Sequence, residues 1–182
     1  MAAPQKTFRT KVSGLLRPRH TFTDEDGKEI GVLVVERNWL GMIVGGEWKP
    51  TKGETLAIKR DPGLLRAQFA CWTEGREWLG STIRPGVMRR TIEMWTGGKP
   101  LRLVPRLELG RGWRIVGAKS GLVAQFDHGI ASRDATIRTF RKIDPELLVF
   151  AYFVGGLALW ESALPTSLES VDRGAPAAAA RG

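Results

Sequence analysis

Two groups of basic side chains are the residues best suited to bind a ligand. The first group lies in and beside a segment of alternating apolar and charged residues, and the second precedes an apolar stretch near the C-terminus. Arginine forks bind phosphate bidentately, so either group is suited to lipid headgroups or to nucleic acid. The alternative is that each group is only a solvated strand face. The first group is Arg102, Arg106, Arg111 and Arg114, and the second is Arg133, Arg138, Arg141 and Lys142.

The sequence contains no recognisable catalytic or metal-binding motif. The only histidines are His20 and His128, and Asp127-His128-Gly129 is typical of a turn that closes a strand. The segment 117–121 has the wrong spacing for a nucleophile elbow, and 110–112 lacks the third glycine of a dinucleotide fingerprint. We therefore assign no catalytic residue, metal ligand or cofactor. Carboxylates distant in sequence can still meet in a fold, which leaves an enzyme as a remote alternative.

Cysteine and tryptophan are assigned to the core. Cys71 is the single cysteine, which excludes an intrachain disulfide, and its apolar neighbours are typical of an inert buried thiol. Core packing is expected for most of the tryptophans, with interfacial anchors or stacking platforms as the alternative. The tryptophans are Trp39, Trp48, Trp72, Trp78, Trp95, Trp113 and Trp160.

The charge of the chain is strongly positive and unevenly placed. The 182 residues carry a net charge of +9, with 26 Lys/Arg against 14 Asp/Glu in residues 1–143 and 2 against 5 afterwards. This balance favours an anionic partner: phospholipid headgroups, nucleic acid or an acidic protein. The alternative is a charge that only keeps the protein in solution. The N-terminal residues lack the apolar region of a signal peptide, so we expect a cytoplasmic location.

Short strands must position these residues over most of the chain. Glycine-containing breaks recur at intervals near ten residues from about residue 6 to 142, and Asp24 to Gly27 predicts a hairpin turn. One face of an extended chain would carry Leu101, Leu103, Pro105, Leu107 and Leu109, and the other face Arg102, Arg106 and Glu108, which predicts a strand with one buried face. Leu122, Ala124 and Phe126 repeat the pattern. Pro105 indicates an edge strand, a bulge or a corner between two strands.

One apolar helix is predicted after this β-rich part. Asp144, Pro145 and Glu146 form a helix start, and residues 147–160 carry no charge. Fourteen apolar residues are too few for the roughly 20 that span a bilayer, and a helix apolar on every side needs protein all around it. A closed β-barrel provides that cover. Gly155 and Gly156 would then let a strand or a large side chain pack closely. The alternatives are a membrane-inserted helix and a central strand.

These features resemble the tubby C-terminal superfamily, which includes phospholipid scramblases, LURP-one-related proteins and small bacterial homologues. The similarity rests on many strands followed by a helix that begins Asp-Pro-Glu-Leu-Leu, and on the hairpin patterns at 113–124 and 22–27. It implies a mainly β fold: a closed antiparallel barrel of about twelve strands around a hydrophobic C-terminal helix. The expected organisation is a disordered N-terminus at 1–6, the barrel at 7–163 with its helix near 145–162, and a disordered tail at 164–182.

The resemblance also implies a non-enzymatic function. Residues 129–143 contain Asp134 as their only carboxylate, too few oxygens for calcium, and no cysteine cluster is present to accept palmitate. We therefore do not expect calcium-dependent lipid movement. The expectation is binding of anionic phospholipid headgroups, phosphoinositides included, by the basic barrel face at the inner membrane surface. The alternative is a protein–protein interaction module without a lipid role. Nucleic acid ranks lower because no RRM, KH or helix-turn-helix pattern accompanies the charge.

Overall fold

The residues that the structure describes form twelve strands and one α-helix. The computed structural model describes residues 3–14, 17–60, 68–83, 91–98, 100–106, 111–128 and 134–158, with the backbone alone for Arg111 and Ala158. The strands are β1 (Lys6–Ser13), β2 (Arg19–Thr23), β3 (Glu29–Arg37), β4 (Ile43–Pro50), β5 (Leu56–Arg60), β6 (Phe69–Thr73), β7 (Trp78–Ile83), β8 (Ile92–Thr96), β9 (Leu101–Pro105), β10 (Arg111–Gly117), β11 (Gly121–His128) and β12 (Ala135–Thr139).

The strands form one closed antiparallel barrel. Each strand pairs with its neighbours in the chain, and β1 pairs with β12 through Lys6 opposite Thr139 and Thr10 opposite Ala135. Closure satisfies the backbone groups that an open sheet would leave unpaired at its edges. The mainly β fold, the closed antiparallel barrel and its count of about twelve strands are confirmed.

Two predicted hairpins are present in the structure, one between β2 and β3 and one between β10 and β11. Between β2 and β3, the Asp24 carboxylate accepts hydrogen bonds from the backbone N–H groups of Asp26 (3.1 Å) and Lys28 (2.9 Å). Gly27 adopts φ +77°, a conformation that L side chains rarely tolerate. The β10–β11 hairpin is likewise present. A register shift after Ile115 breaks the expected alternation in β11, because Val123 instead of Leu122 is buried beside Ala124.

The proline in the strict alternating segment ends a strand. Leu103 is fully buried and Arg102 is exposed, as predicted, but β9 stops at Pro105, opposite Trp113. The edge-strand interpretation is wrong, because β9 pairs with β8 on one side and β10 on the other. Leu107 and Leu109 lie outside the described residues.

The helix α1 (Pro145–Tyr152) runs into the barrel and continues as a π-helical segment, Phe153–Ala158. Asp144 is the N-cap by its backbone conformation, but its side chain makes no capping hydrogen bond, in contrast to the acceptor role expected of it. Pro145 fits the first helical position because the N–H it lacks would have no helical partner there. The predicted end near residue 162 lies outside the described residues.

Side chains of the helix fill the interior of the barrel. All residues from Leu148 to Val154 are buried, and the ring of Phe153 meets Phe69 edge to face at 5.3 Å. A Cβ atom added at Gly155 would lie 3.2 Å from the ring of Trp113, and one at Gly156 would lie 2.8 Å from His128 Nε2. These two glycines therefore permit the predicted close packing. Among the described helices, none is long and apolar enough to cross a membrane.

The barrel has two distinct ends. We call the end at which α1 begins the entry end; it carries the β2–β3 turn and the connection from β12 to the helix. At the opposite end, called the far end, lie the turns between β1 and β2 and between β3 and β4.

Candidate anion-binding face

Half of the barrel wall carries outward basic side chains. Strands β2, β1, β12, β11, β10 and β9 are consecutive neighbours, and their inward residues cover the helix. Among the outward side chains described on these strands, Asp127 is the one carboxylate. A second acid, Asp134, directly precedes β12 and accepts a hydrogen bond from the Val12 N–H group of β1 at 3.0 Å. We call this surface the basic face; its cations are Arg9, Lys11, Arg19, Arg102, Arg106, Arg114 and Arg138.

The structure brings members of the two predicted arginine groups together. Arg114 on β10 lies opposite Gln125 on β11, and Gln125 in turn lies opposite Arg138 on β12. Arg106 follows the end of β9 on the same outward side. Antiparallel pairing therefore places arginines that are far apart in sequence on β10 and β12, the two strands that flank β11.

Asp127 on β11 connects two of these arginines. The Arg138 Nη1 group donates to Asp127 Oδ2 at 2.6 Å, and Arg106 Nη1 donates to Asp127 Oδ1. The side-chain amide of Gln125 also donates to both carboxylate oxygens, at 3.1 and 3.0 Å. This network fixes the guanidinium groups and leaves the pair of arginines with a net positive charge.

A glycine allows Arg106 to reach across a strand. Gly112 on β10 lies opposite Asp127, between Arg106 and the carboxylate. A Cβ atom at Gly112 would approach Arg106 Cδ and Asp127 Oδ1 to 3.4 Å and would collide with the carbonyl oxygen of Phe126. The missing side chain thus provides the path along which Arg106 crosses β10.

Other predicted residues lie apart from this network. Arg102 is exposed and forms a 3.8 Å ion pair with Glu93 on β8. Arg141 and Lys142 are exposed on the connection from β12 to the helix, at the entry end. Arg111 begins β10, where only its backbone is described, and Arg133 lies outside the described residues.

Three cations of the basic face were missed in the sequence. Arg9 and Lys11 point outward from β1, while Phe8 and Thr10 point inward; Arg19 points outward from β2. The alternation in residues 8–12 is a detectable strand signal. What the sequence does not show is that closure of the barrel places β1 beside β12 and its arginine.

The opposite half of the wall has a different chemistry. Its outward side chains on β3–β8 include Lys49 and Lys59 together with Glu36, Glu47 and Glu93, and the structure pairs Lys49 with Glu47 at 3.0 Å. The expectation that most tryptophans pack in the core is wrong for the described residues, because four of the six are exposed. The exposed tryptophans are Trp39, Trp72, Trp78 and Trp95, and the buried or partly buried ones are Trp48 and Trp113.

The inside of the barrel holds a small polar cluster around Tyr152. Its hydroxyl lies 2.9 Å from His20 Nδ1 and 3.4 Å from Thr10 Oγ1, and its ring stacks on His128. Burial raises the pKa of Tyr152, the hydrogen bond between Tyr152 and Thr10 opposes that shift, and the charge of Asp134 adds to it. The predicted turn at Asp127-His128 is wrong: both residues belong to β11, one facing out and the other facing in. The hydrogen bonds of the Tyr152 hydroxyl thus give buried partners to His20 and Thr10, as protein interiors require.

Cys71 has the character expected of an inert thiol. Burial, together with a smaller effect of the Glu146 carboxylate, raises its pKa to about 12. The thiol is therefore protonated near neutral pH and is a poor nucleophile. In the described part of the chain, no three His, Cys, Asp or Glu side chains are grouped so that they could hold a metal ion.

A cleft of about 550 Å³ opens at the entry end, beside the start of the helix. Its charged lining combines three lysines with five carboxylates: Lys6, Lys28 and Lys52 with Asp24, Glu25, Asp26, Glu29 and Glu146. An excess of carboxylates repels anions, so this cleft is not suited to a phosphate group. The basic face is the better candidate for an anionic ligand.

Comparison with known proteins adds no relative from which a role could be transferred. No protein-family model, curated protein or solved structure matches the chain.

Proposed function

We propose that this protein binds anionic membrane surfaces through the basic face, without catalysing a reaction. The observation that carries the proposal is the placement of seven outward Lys and Arg residues on one half of the wall, six of them on strands and Arg106 directly after β9. Asp127 is the one carboxylate described on these strands, and Asp134 directly precedes β12. A broad surface of one charge is attracted to a negatively charged lipid leaflet at about 1 kcal/mol per basic residue near the surface.

The rigidity of the wall favours this function. Side chains on paired strands keep their spacing, and Asp127 holds Arg106 and Arg138 in place before any ligand arrives. Less conformational entropy is then lost on binding. Arg9, Lys11 and Arg19 are exposed and supply further charge.

The proposed ligand class is the phosphate-bearing headgroup of an anionic phospholipid, phosphoinositides included. Planar guanidinium groups match phosphate oxygens in pairs, which supports headgroup contact as well as long-range attraction. Membership of the tubby C-terminal superfamily and a cytoplasmic location at the inner membrane surface are parts of the same proposal. The barrel around a hydrophobic helix supports the family assignment at the level of architecture.

A protein–protein interaction module is the second candidate. It is favoured by Trp72, Trp78 and Trp95, which are exposed on the outer surfaces of β6, β7 and β8. Exposed tryptophan is enriched in the energetic centres of protein interfaces. This surface lies on the half of the wall away from the basic face, so the two functions predict different variants as damaging.

Matched charge removal tests the proposal. Arg9→Ser/Lys11→Ser removes two exposed charges from the basic face, and Lys49→Ser/Lys52→Ser removes two exposed charges from β4 and the turn after it, in the opposite half. We expect the first pair to weaken binding to phosphatidylserine-containing vesicles by roughly 30-fold, since two charges contribute about 2 kcal/mol. The second pair should change it less than about threefold. Equal losses in co-sedimentation would overturn the assignment of binding to this face.

A further inference from the structure

The turn between β3 and β4 exposes an unusual concentration of apolar side chains. In this segment, Asn38–Met42, the side chain of Trp39 is 91% exposed, that of Leu40 59% and that of Met42 46%. We call it the Trp39 turn. It stands at the far end of the barrel, and none of these three side chains belongs to the buried core. Side chains of this size gain free energy when they leave water.

The Trp39 turn is held by internal hydrogen bonds, which largely satisfy its own polar groups. The side-chain oxygen of Asn38 accepts the N–H groups of Leu40 (3.1 Å) and Met42 (2.9 Å). The backbone of Asn38 exchanges further hydrogen bonds with Met42 and Gly41, each at 2.9 Å. The guanidinium group of Arg37 donates to the carbonyl of Gly41 at 2.8 Å. A segment that enters an apolar medium must have such partners, because water cannot supply them there.

Basic residues surround the base of this turn. Arg17 and Arg19 lie on the neighbouring β1–β2 connection and β2, where Pro18 accepts a hydrogen bond from Val35. Lys59 lies on the other side, opposite Gly45 on β4. Glu36 is the carboxylate closest in sequence to the turn, and the cations around the turn are more numerous. An apolar tip with cations around its base is complementary to a bilayer whose surface is anionic and whose interior is apolar.

We propose that the Trp39 turn inserts into the interfacial layer of an anionic bilayer and fixes the orientation of the barrel on it. The indole ring of Trp39 would lie at the headgroup level, which tryptophan prefers because it has an apolar body and a polar N–H. Arg17, Arg19 and Arg37 would then contact headgroups around the turn. This inference rests on the proposed function, and it adds a specific anchor and a direction of approach.

Site-specific labelling tests the anchor directly. Cys71 is buried and its thiol is protonated, so Trp39→Cys can be labelled selectively with an environment-sensitive fluorophore in the folded protein. Trp95→Cys is the matched control, because Trp95 is also exposed but lies on β8. On addition of phosphatidylserine-containing vesicles, the probe at position 39 should brighten, shift to shorter wavelength and become quenched by lipid-borne quenchers. The probe at position 95 should stay in water.

Affinity provides the second measurement. We expect Trp39→Ser to weaken vesicle binding by roughly tenfold and Trp95→Ser by less than about twofold. Each variant removes one exposed indole ring, but only the ring of Trp39 would contact the bilayer. A wild-type protein that binds these vesicles while the probe at position 39 stays in water would overturn the anchor alone. A wild-type protein that does not bind them would overturn the proposed function and the anchor with it. A Trp39-dependent dimer that forms without vesicles, with no insertion of the probe, would assign the turn to self-association instead.

Discussion

At the scale of single residues, Asp127 controls how much positive charge the basic face presents. Its carboxylate accepts hydrogen bonds from Arg106, Arg138 and the amide of Gln125. The side chain of Gln125 is only 6% exposed, because this network and the neighbouring strands cover it. Asp127 thus stabilises the arrangement of the arginines and also neutralises part of their charge.

Replacing Asp127 with asparagine should therefore change stability and binding in opposite directions. Asp127→Asn removes the negative partner of two arginines, so the free energy of unfolding should fall by about 1–3 kcal/mol. The basic face gains one positive charge, which should raise the affinity for anionic vesicles roughly fivefold. Chemical denaturation and vesicle co-sedimentation measure the two effects.

The matched control is Glu47→Gln, which removes the partner of Lys49 on the opposite half of the wall. It makes the same change in net charge, but we expect no more than a twofold change in vesicle affinity. If Glu47→Gln strengthened binding as much as Asp127→Asn, the effect would reflect net charge instead of the basic face.

The roles of individual residues were harder to predict than their strands. Arg102, Arg106, Arg114 and Arg138 were identified from their spacing, and the outward direction of Arg102 follows from the alternation in β9. Asp127 was assigned to a turn because it precedes His128 and Gly129, a local pattern typical of turns. Its actual role depends on Arg106, which reaches across β10 from the end of β9, and on Arg138 on β12. Neither contact has a local signature in the sequence.

At the scale of elements, the helix in the barrel is the part that the sequence describes best. Asp144, Pro145 and Glu146 set its start, and the uncharged run that follows predicts burial on all sides, as observed from Leu148 to Val154. The change to π-helix at Phe153 was not predicted. It falls where Gly155 and Gly156 pack against Trp113 and His128, contacts that only the assembled barrel creates.

A charge placed in the middle of this helix should prevent folding. Phe153 is fully buried against Phe69, so Phe153→Asp would leave an unpaired carboxylate in the core at a cost of more than about 4 kcal/mol. We expect the variant to be insoluble or to lack the circular dichroism spectrum of the wild type. Leu40→Asp, at an exposed position, is the control and should fold normally. A soluble Phe153→Asp protein with the native spectrum would refute the central position of the helix.

At the scale of the whole molecule, barrel closure places the basic side chains on one half of the wall and three exposed tryptophans on the other half. The net charge of +9 pointed to an anionic partner, but the sequence could not show that the basic side chains share one half of the wall. Arg9 and Lys11 are more than 120 residues away from Arg138 in the chain, and the pairing of β1 with β12 makes them neighbours. Exposed Trp72, Trp78 and Trp95 lie on the other half, a distribution that composition cannot reveal.

The most direct measurement is co-sedimentation of the wild-type protein with vesicles of phosphatidylcholine alone and with vesicles that also contain phosphatidylserine, each at low and at physiological ionic strength. Binding through the basic face predicts that the protein sediments with the anionic vesicles at both ionic strengths and more weakly at the higher one, because salt screens exposed charges. It should stay in solution with the neutral vesicles. No sedimentation with the anionic vesicles, or equal sedimentation with both kinds, would contradict recognition of an anionic membrane surface.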